Sequence, residues 1–240
     1  MQTNELGQPV GDEVAAWSSR PLPTAPVLEG RYCRLERLRP DRHADELFLA
    51  DHHDASGASW TYLPYGPFTR LEDYRRWVEQ VGAADDPLFF AVIGTDPAAG
   101  LPTHHAVGVM SYLNIVPAHG SIEVGHIHYS PLLQRQRAAT EAQHLLMRYA
   151  FDDLGYRRYE WKCDALNAPS RAAAERLGFR YEGTFRQAAV VKGRNRDTAW
   201  YSITDREWPR VSHDLRTWLA PDNFDELAHQ KRPLHAPKPA

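Results

Sequence analysis

The stretch SPLLQRQRAATEAQHLLMRYAF, Ser130 to Phe151, constrains this chain most: it leaves the end of a strand and enters a long amphipathic helix with no glycine in the turn. Ala139, Ala142, Leu145, Leu146, Tyr149 and Ala150 fall on one helical face, and Arg148, Asp152 and Asp153 lie away from it. A helix with one apolar face needs a sheet or another helix to cover. The flanking segments supply strands. RRYEWKCD alternates strictly, with Tyr159, Trp161 and Cys163 to one side and Arg158, Glu160 and Lys162 to the other.

The remaining elements follow from the same patterns. RYCRLERL (31–38) reads as a strand, and DRHADELFLADHH after Pro40 reads as a helix. TRLEDYRRWVEQVG is a second helix, with Thr69 as its expected cap, Leu71, Tyr74, Val78 and Val81 as its stripe, and Gly82 as its stop. PLFFAVIG, HAVGVMSYLNIV and SIEVGHIHYS are three successive strands forming a meander. NAPSRAAAERLGF is a short helix with Asn167 as N-cap, Pro169 in the first turn and Gly178 as stop. YEGTFRQAAVV and DTAWYSITDREW are strands meeting across the polar turn KGRNRD. The order β α α β β β α β α β β describes an α+β fold, a sheet covered by helices.

The chain has 240 residues, 42% hydrophobic and 25% charged, which suits one sizeable core. Three parts are expected: an extended Pro- and Gly-rich arm over 1–27, the folded domain over 28–208, and a C-terminal helix with a loose tail, KRPLHAPKPA, over 209–240. With 28 basic against 31 acidic residues the formal charge is −3, so no overall positive field draws the chain to nucleic acid or an acidic membrane. Apolar runs are far shorter than the ~20 residues of a membrane span, and no signal-peptide pattern opens the sequence, so a cytoplasmic protein is expected. Cys33 and Cys163 sit in strands without C-x-x-C spacing and are expected as buried thiols.

A helix start binds an anion through unpaired amides and its dipole, without needing particular side chains. Ala138 and Ala139 tolerate such a turn, and Arg135 and Arg137 would add charge-assisted donors to a pyrophosphate. Cations at a helix start otherwise oppose the dipole by a few tenths of a kcal/mol, roughly. From the residues alone, solvated charge and ligand site remain equal readings.

Three local motifs in this order resemble the GCN5-related N-acetyltransferases, and within them the ribosomal-protein alanine acetyltransferase type. Gln134, Arg135, Gln136, Arg137, Ala138 and Ala139, then Thr140, are similar to the family's Q/R-x-x-G-x-G/A loop, with Arg137 at the glycine position. NAPSRAAAERLGF is similar to its N-x-x-S helix, and EVGHIHYSP to the strand feeding the loop. The resemblance implies a mixed, mostly antiparallel central sheet with helices on both faces, its fourth and fifth strands splayed for acyl-CoA. It implies acetyl-CoA as co-substrate, no metal, and direct acyl transfer to a primary amine within a ternary complex. The amine would belong to a small molecule or a protein N-terminus. A homodimer is frequent in that branch, and the helix around VSHDLRTWLA is the expected contact.

Carried to this chain, the cofactor would meet His128, Tyr129 and Ser130 at the strand end, the loop residues 134–140, and Asn167 and Ser170. Glu123 is the expected base, since a partly buried carboxylate rises toward neutrality, with His126 and His128 able to replace it. An ordinary hydrogen-bonded carboxylate is an equal reading of Glu123. His-x-His also has metal spacing but lacks a third ligand at a recognisable interval. Ser170 is the expected donor to the departing thiolate, and Asn167 both caps its helix and touches the pantetheine arm. WTYLPYGPF places Trp60, Tyr62 and Tyr65, with His126, at an expected acceptor pocket, a satellite core being the competing reading. A noncatalytic acyl-CoA sensing module of the same fold is the alternative function. A nucleotide-binding enzyme fits less well, lacking G-x-x-x-x-G-K-[ST].

Overall fold

The computed structural model describes residues 2–234. A short antiparallel hairpin, β1 (Gln2–Thr3) and β2 (Pro9–Val10), opens the chain. The main sheet has eight strands in the order β3-β4-β5-β6-β7-β8-β10-β9. These are β3 (Val27–Glu29), β4 (Cys33–Arg37), β5 (Leu88–Gly94), β6 (Ala106–Val116), β7 (Ser121–Tyr129), β8 (Arg158–Asp164), β9 (Arg180–Val191) and β10 (Arg194–Thr204). Every neighbouring pair runs antiparallel except β7 and β8. That parallel pair requires a crossover, and α3 (Arg137–Arg148) provides it. A π-helical turn at Tyr149–Asp153 ends the crossover.

Two cores lie on opposite faces. β5 is buried throughout: Leu88, Phe90 and Val92 enter the core under α3, whereas Phe89, Ala91 and Ile93 enter a second core under α1 (Pro40–Asp51) and α2 (Leu71–Gly82). A strand covered on both faces loses its alternation and reads as a continuous apolar run, as PLFFAVIG does. β8 keeps strict alternation, its Tyr159, Trp161 and Cys163 being buried. α4 (Ala168–Arg176) is capped as expected, Asn167 Oδ1 accepting from the Ser170 amide at 3.1 Å, and Gly178 follows at φ 97°. Both cysteines are free and buried.

Several expectations need correction. The N-cap residue of α2 is Arg70 rather than Thr69, with no side-chain cap; Glu72 and Asp73 in the first turn complement the dipole instead. Gly82 is the last helical residue, not the stop. The helix around VSHDLRTWLA, α5 (Trp208–Leu219), spends its apolar face on the domain, burying Val211, Leu215, Trp218 and Leu219 in the core with α3, so that face is not free for a dimer. The tail begins anchored, because the Lys231 amide donates to the Asn223 carbonyl at 2.7 Å and the Arg232 amide to Asn223 Oδ1 at 3.0 Å. Residues 235–240 of KRPLHAPKPA lie outside the described residues. Among the described residues no helix is long and apolar enough to cross a membrane.

Candidate active site

β7 and β8 pair from Ser121/Arg158 to Val124/Trp161 and then separate. Above that point β7 carries a bulge: its register with β6 shifts between Val109/His128 and Ser111/Gly125, and His126 adopts φ 50°. A bulge re-aims side chains, and here it sets His126 and His128 beside the same aromatic layer. His126 lies against Tyr65 and Phe89, with Nδ1 2.9 Å from the Tyr65 hydroxyl. His128 stacks on Trp60 with ring centroids 3.7 Å apart.

The loop after β7 folds on itself. The Leu133 and Gln134 amides both donate to the Ser130 carbonyl, and the Gln136 amide donates to that of Leu133. Arg135 takes the left-handed conformation at φ 63°, where the resembled motif offers no glycine, at a cost of roughly 1 kcal/mol. Gln136 then stands at the N-cap with φ −83° and ψ 154°, so Arg137, at the motif's glycine position, already lies in ordinary helix. The arginine there does not distort the loop. Among the described residues the amides of Arg135, Arg137 and Ala138 find no hydrogen-bond acceptor. Three unpaired donors at a helix start are the physical requirement for seating a phosphate.

The side chains of this loop depart from expectation. The Arg137 guanidinium is committed elsewhere: it grips Asp96 through Nε–Oδ2 at 2.6 Å and Nη2–Oδ1 at 2.8 Å, over the rings of Tyr32 and Phe224. Its bidentate edge is spent on that carboxylate. The Gln134 side chain donates through Nε2 to the Tyr129 carbonyl at 2.8 Å, which ties the loop to the strand end. Tyr129 turns its ring into the core beneath α3, where its hydroxyl accepts from Gln143 at 2.8 Å, so only its backbone faces the cleft. Thr140 is buried and accepts from Arg176 at 3.1 Å, and Ala138 is fully buried. Ser130 is buried, its amide donating to the Val107 carbonyl. Arg135 remains exposed and makes no ion pair among the described residues.

On the far side of the gap, Ser170 in the first turn of α4 accepts from Trp161 Nε1 at 3.0 Å. That bond uses a lone pair and leaves the hydroxyl proton for another acceptor. Glu123 is 5% exposed and held by Lys162 Nζ and Asn114 Nδ2, each at 2.7 Å. Burial raises its pKa, and the Lys162 ammonium opposes that rise. Lys162 also meets Glu160 at 2.9 Å and lies over the Trp200 ring. Taking up a proton at Glu123 would therefore cost it the ammonium pair.

The segment WTYLPYGPF is mostly packing rather than an open pocket. Trp60 is 4% exposed and packs edge-on against Tyr65, Phe68, Tyr74 and Trp77. Tyr62 bridges to the Leu166 carbonyl at 3.2 Å, and Lys192, from the β9–β10 turn, donates to the Trp60 carbonyl at 2.9 Å. The loop is thus strapped across the splayed strands. Two residues that no motif singles out also reach His128: Ser59 and Asp51. Asp51 hides in the sequence as one more polar residue at a helix end, and Ser59 as a loop serine. Their relation to His128 exists only once the loop has folded.

Comparison with known proteins shows the family. Residues 33–180 match the acetyltransferase (GNAT) domain family. A GCN5-related N-acetyltransferase from Brucella melitensis is 48% identical, with a TM-score of 0.87 over 92% of this chain and 97% of its own. A probable GNAT acetyltransferase from Chromobacterium violaceum is 41% identical, with a TM-score of 0.76 over 84% of this chain and 98% of its own. The uncharacterized N-acetyltransferase YnaD of Bacillus subtilis is 26% identical over 61% of this chain and 81% of its own length. The chain belongs to the GNAT family of N-acetyltransferases.

Proposed function

We propose that this chain transfers an acyl group, most simply acetyl, from coenzyme A to a primary amine of a small molecule or a protein N-terminus, within one ternary complex. One observation carries the reading: the three acceptorless amides of Arg135, Arg137 and Ala138 open α3 directly after the strand that parts from β8. They would hold the pyrophosphate, with the exposed Arg135 guanidinium as the added charge. The pantetheine arm would enter where β7 and β8 separate, between the backbone of His128 to Ser130 and the start of α4.

Bringing amine and thioester together supplies most of the acceleration for this reaction. Two protons must also move: one leaves the ammonium before attack, and a second passes to the thiolate as the tetrahedral adduct collapses. Ser170 would handle the second: Trp161 fills a lone pair, and the hydroxyl proton, which otherwise faces Cys163, can turn to the departing sulfur. The first must go to the face bearing Glu123, His126 and His128.

Calorimetry with coenzyme A, and free-thiol release from acetyl-CoA across a panel of amines, test this reading. Coenzyme A should bind, and at least one amine should release thiol in proportion to acetylated product. Binding without release from any amine would favour the noncatalytic sensing module. No binding would remove the reading altogether.

A further inference from the structure

The loop between α1 and α2 completes a row of three groups. Ser59 Oγ lies 3.0 Å from His128 Nε2, and Asp51 Oδ1, on the last residue of α1, lies 3.4 Å from His128 Nδ1. The imidazole is fixed between them by its stack on Trp60. The row runs from a half-buried hydroxyl to a carboxyl that is 7% exposed, through a ring that is 3% exposed. By strict hydrogen-bond geometry neither Asp51 oxygen is satisfied among the described residues; the Tyr74 hydroxyl beside it is near enough to favour the carboxylate but is not aligned on it. Orphaned buried carboxyls are rare, because each forfeits hydration without replacement. Catalytic contacts are often long before substrate arrives and shorten in the loaded complex.

We propose that Ser59, His128 and Asp51 form a proton relay that draws the first proton from the acceptor ammonium, with Asp51 as its terminal acceptor. The inference rests on the acyltransferase reading above and assigns the base within it. The ammonium N–H gives its proton to Ser59 Oγ as the Ser59 proton passes to His128 Nε2. The Nδ1 proton then passes to Asp51. The amine gains a free pair for the thioester carbon; after product departs the shift reverses, Asp51 returning its proton to Nδ1, the Nε2 proton returning to Ser59 and the Ser59 proton leaving to water, which restores the row. Glu123 is the weaker acceptor because Lys162 and Asn114 already hold it.

The groups facing the row are few. Tyr74 faces Asp51 from α2, Asp54 acts on His128 from the loop, and His126 two residues along β7 is turned to Tyr65. Burial pushes the Asp51 carboxyl up to about 7 and the His128 imidazole down to about 4. Around neutrality the ring is therefore uncharged and the carboxyl is at its midpoint. A relay ending on Asp51 needs the carboxylate form, so turnover should rise with pH through about 7.

Asp51→Asn should lower kcat about 100-fold, leave KM for acetyl-CoA unchanged within about twofold, and remove the limb near pH 7. Asp51→Glu should restore part of kcat and the limb. Ser59→Ala should lower kcat less and keep the limb, because a water can stand in for the hydroxyl. A limb that survives Asp51→Asn overturns the relay. An acetyl group found on Ser59 by mass spectrometry after mixing with acetyl-CoA alone overturns it too, since Ser59 would then be an acyl carrier. If wild-type protein releases thiol with no amine, the acyltransferase reading fails, and imidazole 15N resonances of the full chain test the coupling by itself. The His128 signal should then move near pH 7 and stop moving in Asp51→Asn, whereas a signal indifferent to that substitution overturns the inference.

Discussion

Asp51 and Arg137 illustrate opposite fates of a buried charge. The Asp51 carboxyl is raised by burial from about 3.8 to about 7, so folding favours its protonated form. A carboxyl whose folded value exceeds its unfolded value contributes stability that is complete below about 3.8 and lost as pH rises through about 7. Asn cannot ionise and escapes that loss. Asp51→Asn is therefore expected to be more stable than wild type at pH 8 by on the order of 4 kcal/mol, and by on the order of 1 to 2 kcal/mol at pH 5. Urea denaturation at the two pH values checks this; equal effects at both would mean that the carboxyl is not desolvated. Arg137 is paired instead, and its loss leaves Asp96, 3% exposed, without a counter-charge. Arg137→Ala should cost roughly 3 kcal/mol of stability, the scale for breaking a buried pair. Its effect on coenzyme A should stay within about threefold, whereas losing a guanidinium–phosphate contact worth ~1.5 to 3 kcal/mol would weaken binding at least tenfold. Calorimetry on the folded variant separates the two roles.

At the scale of elements, the loop over 52–70 is the piece on which the proposed relay depends and the piece least readable beforehand. Strands and helices declared themselves through period and caps: the alternation of β8 and the Asn167 cap of α4 hold in the structure. Where local pattern and tertiary packing compete, packing decided. Trp60 could wall a pocket or fill a core, and in the structure Phe68, Tyr74 and Trp77, brought from α2 and the loop, pack around it. The β7 bulge left no mark in SIEVGHIHYS, because a positive φ at histidine is fixed by partner strands and not by residue type. The ion pair of Arg137 was unreadable for a related reason: its partner Asp96 comes from the loop after β5, far away in the chain. The strap from Lys192 to the Trp60 carbonyl joins the β9–β10 turn to this loop. Lys192→Ala should raise amide hydrogen exchange in the 52–68 segment while α3 and β5 keep their protection. Unchanged exchange in that segment would mean that the aromatic packing alone holds the loop down.

Across the described residues one eight-stranded sheet with two cores carries the fold, and the proposed acyl-transfer site lies where β7 and β8 separate. Burial screens the chain's own thiols from reagents. Cys33 is wholly enclosed, its thiol raised well above the usual range by burial first and by the neighbouring Glu141 carboxylate second. Glu141 itself is fixed by the amides of Arg31, Tyr32 and Cys33, so this corner cannot relax without breaking the contact between α3 and the β3–β4 turn. Cys163 is 6% exposed and is likewise raised, chiefly by burial, with the Ser170 hydroxyl opposing. A thiol reacts as its thiolate, and only where a reagent reaches it. The folded protein should therefore give almost no colour with a disulfide reagent over the time of an assay, and two equivalents after denaturation, one for each cysteine of the chain. Prompt reaction of one thiol in the native state would show that β4 or β8 opens far more readily than a closed sheet allows. Silence of both would leave every thiol seen during turnover attributable to coenzyme A.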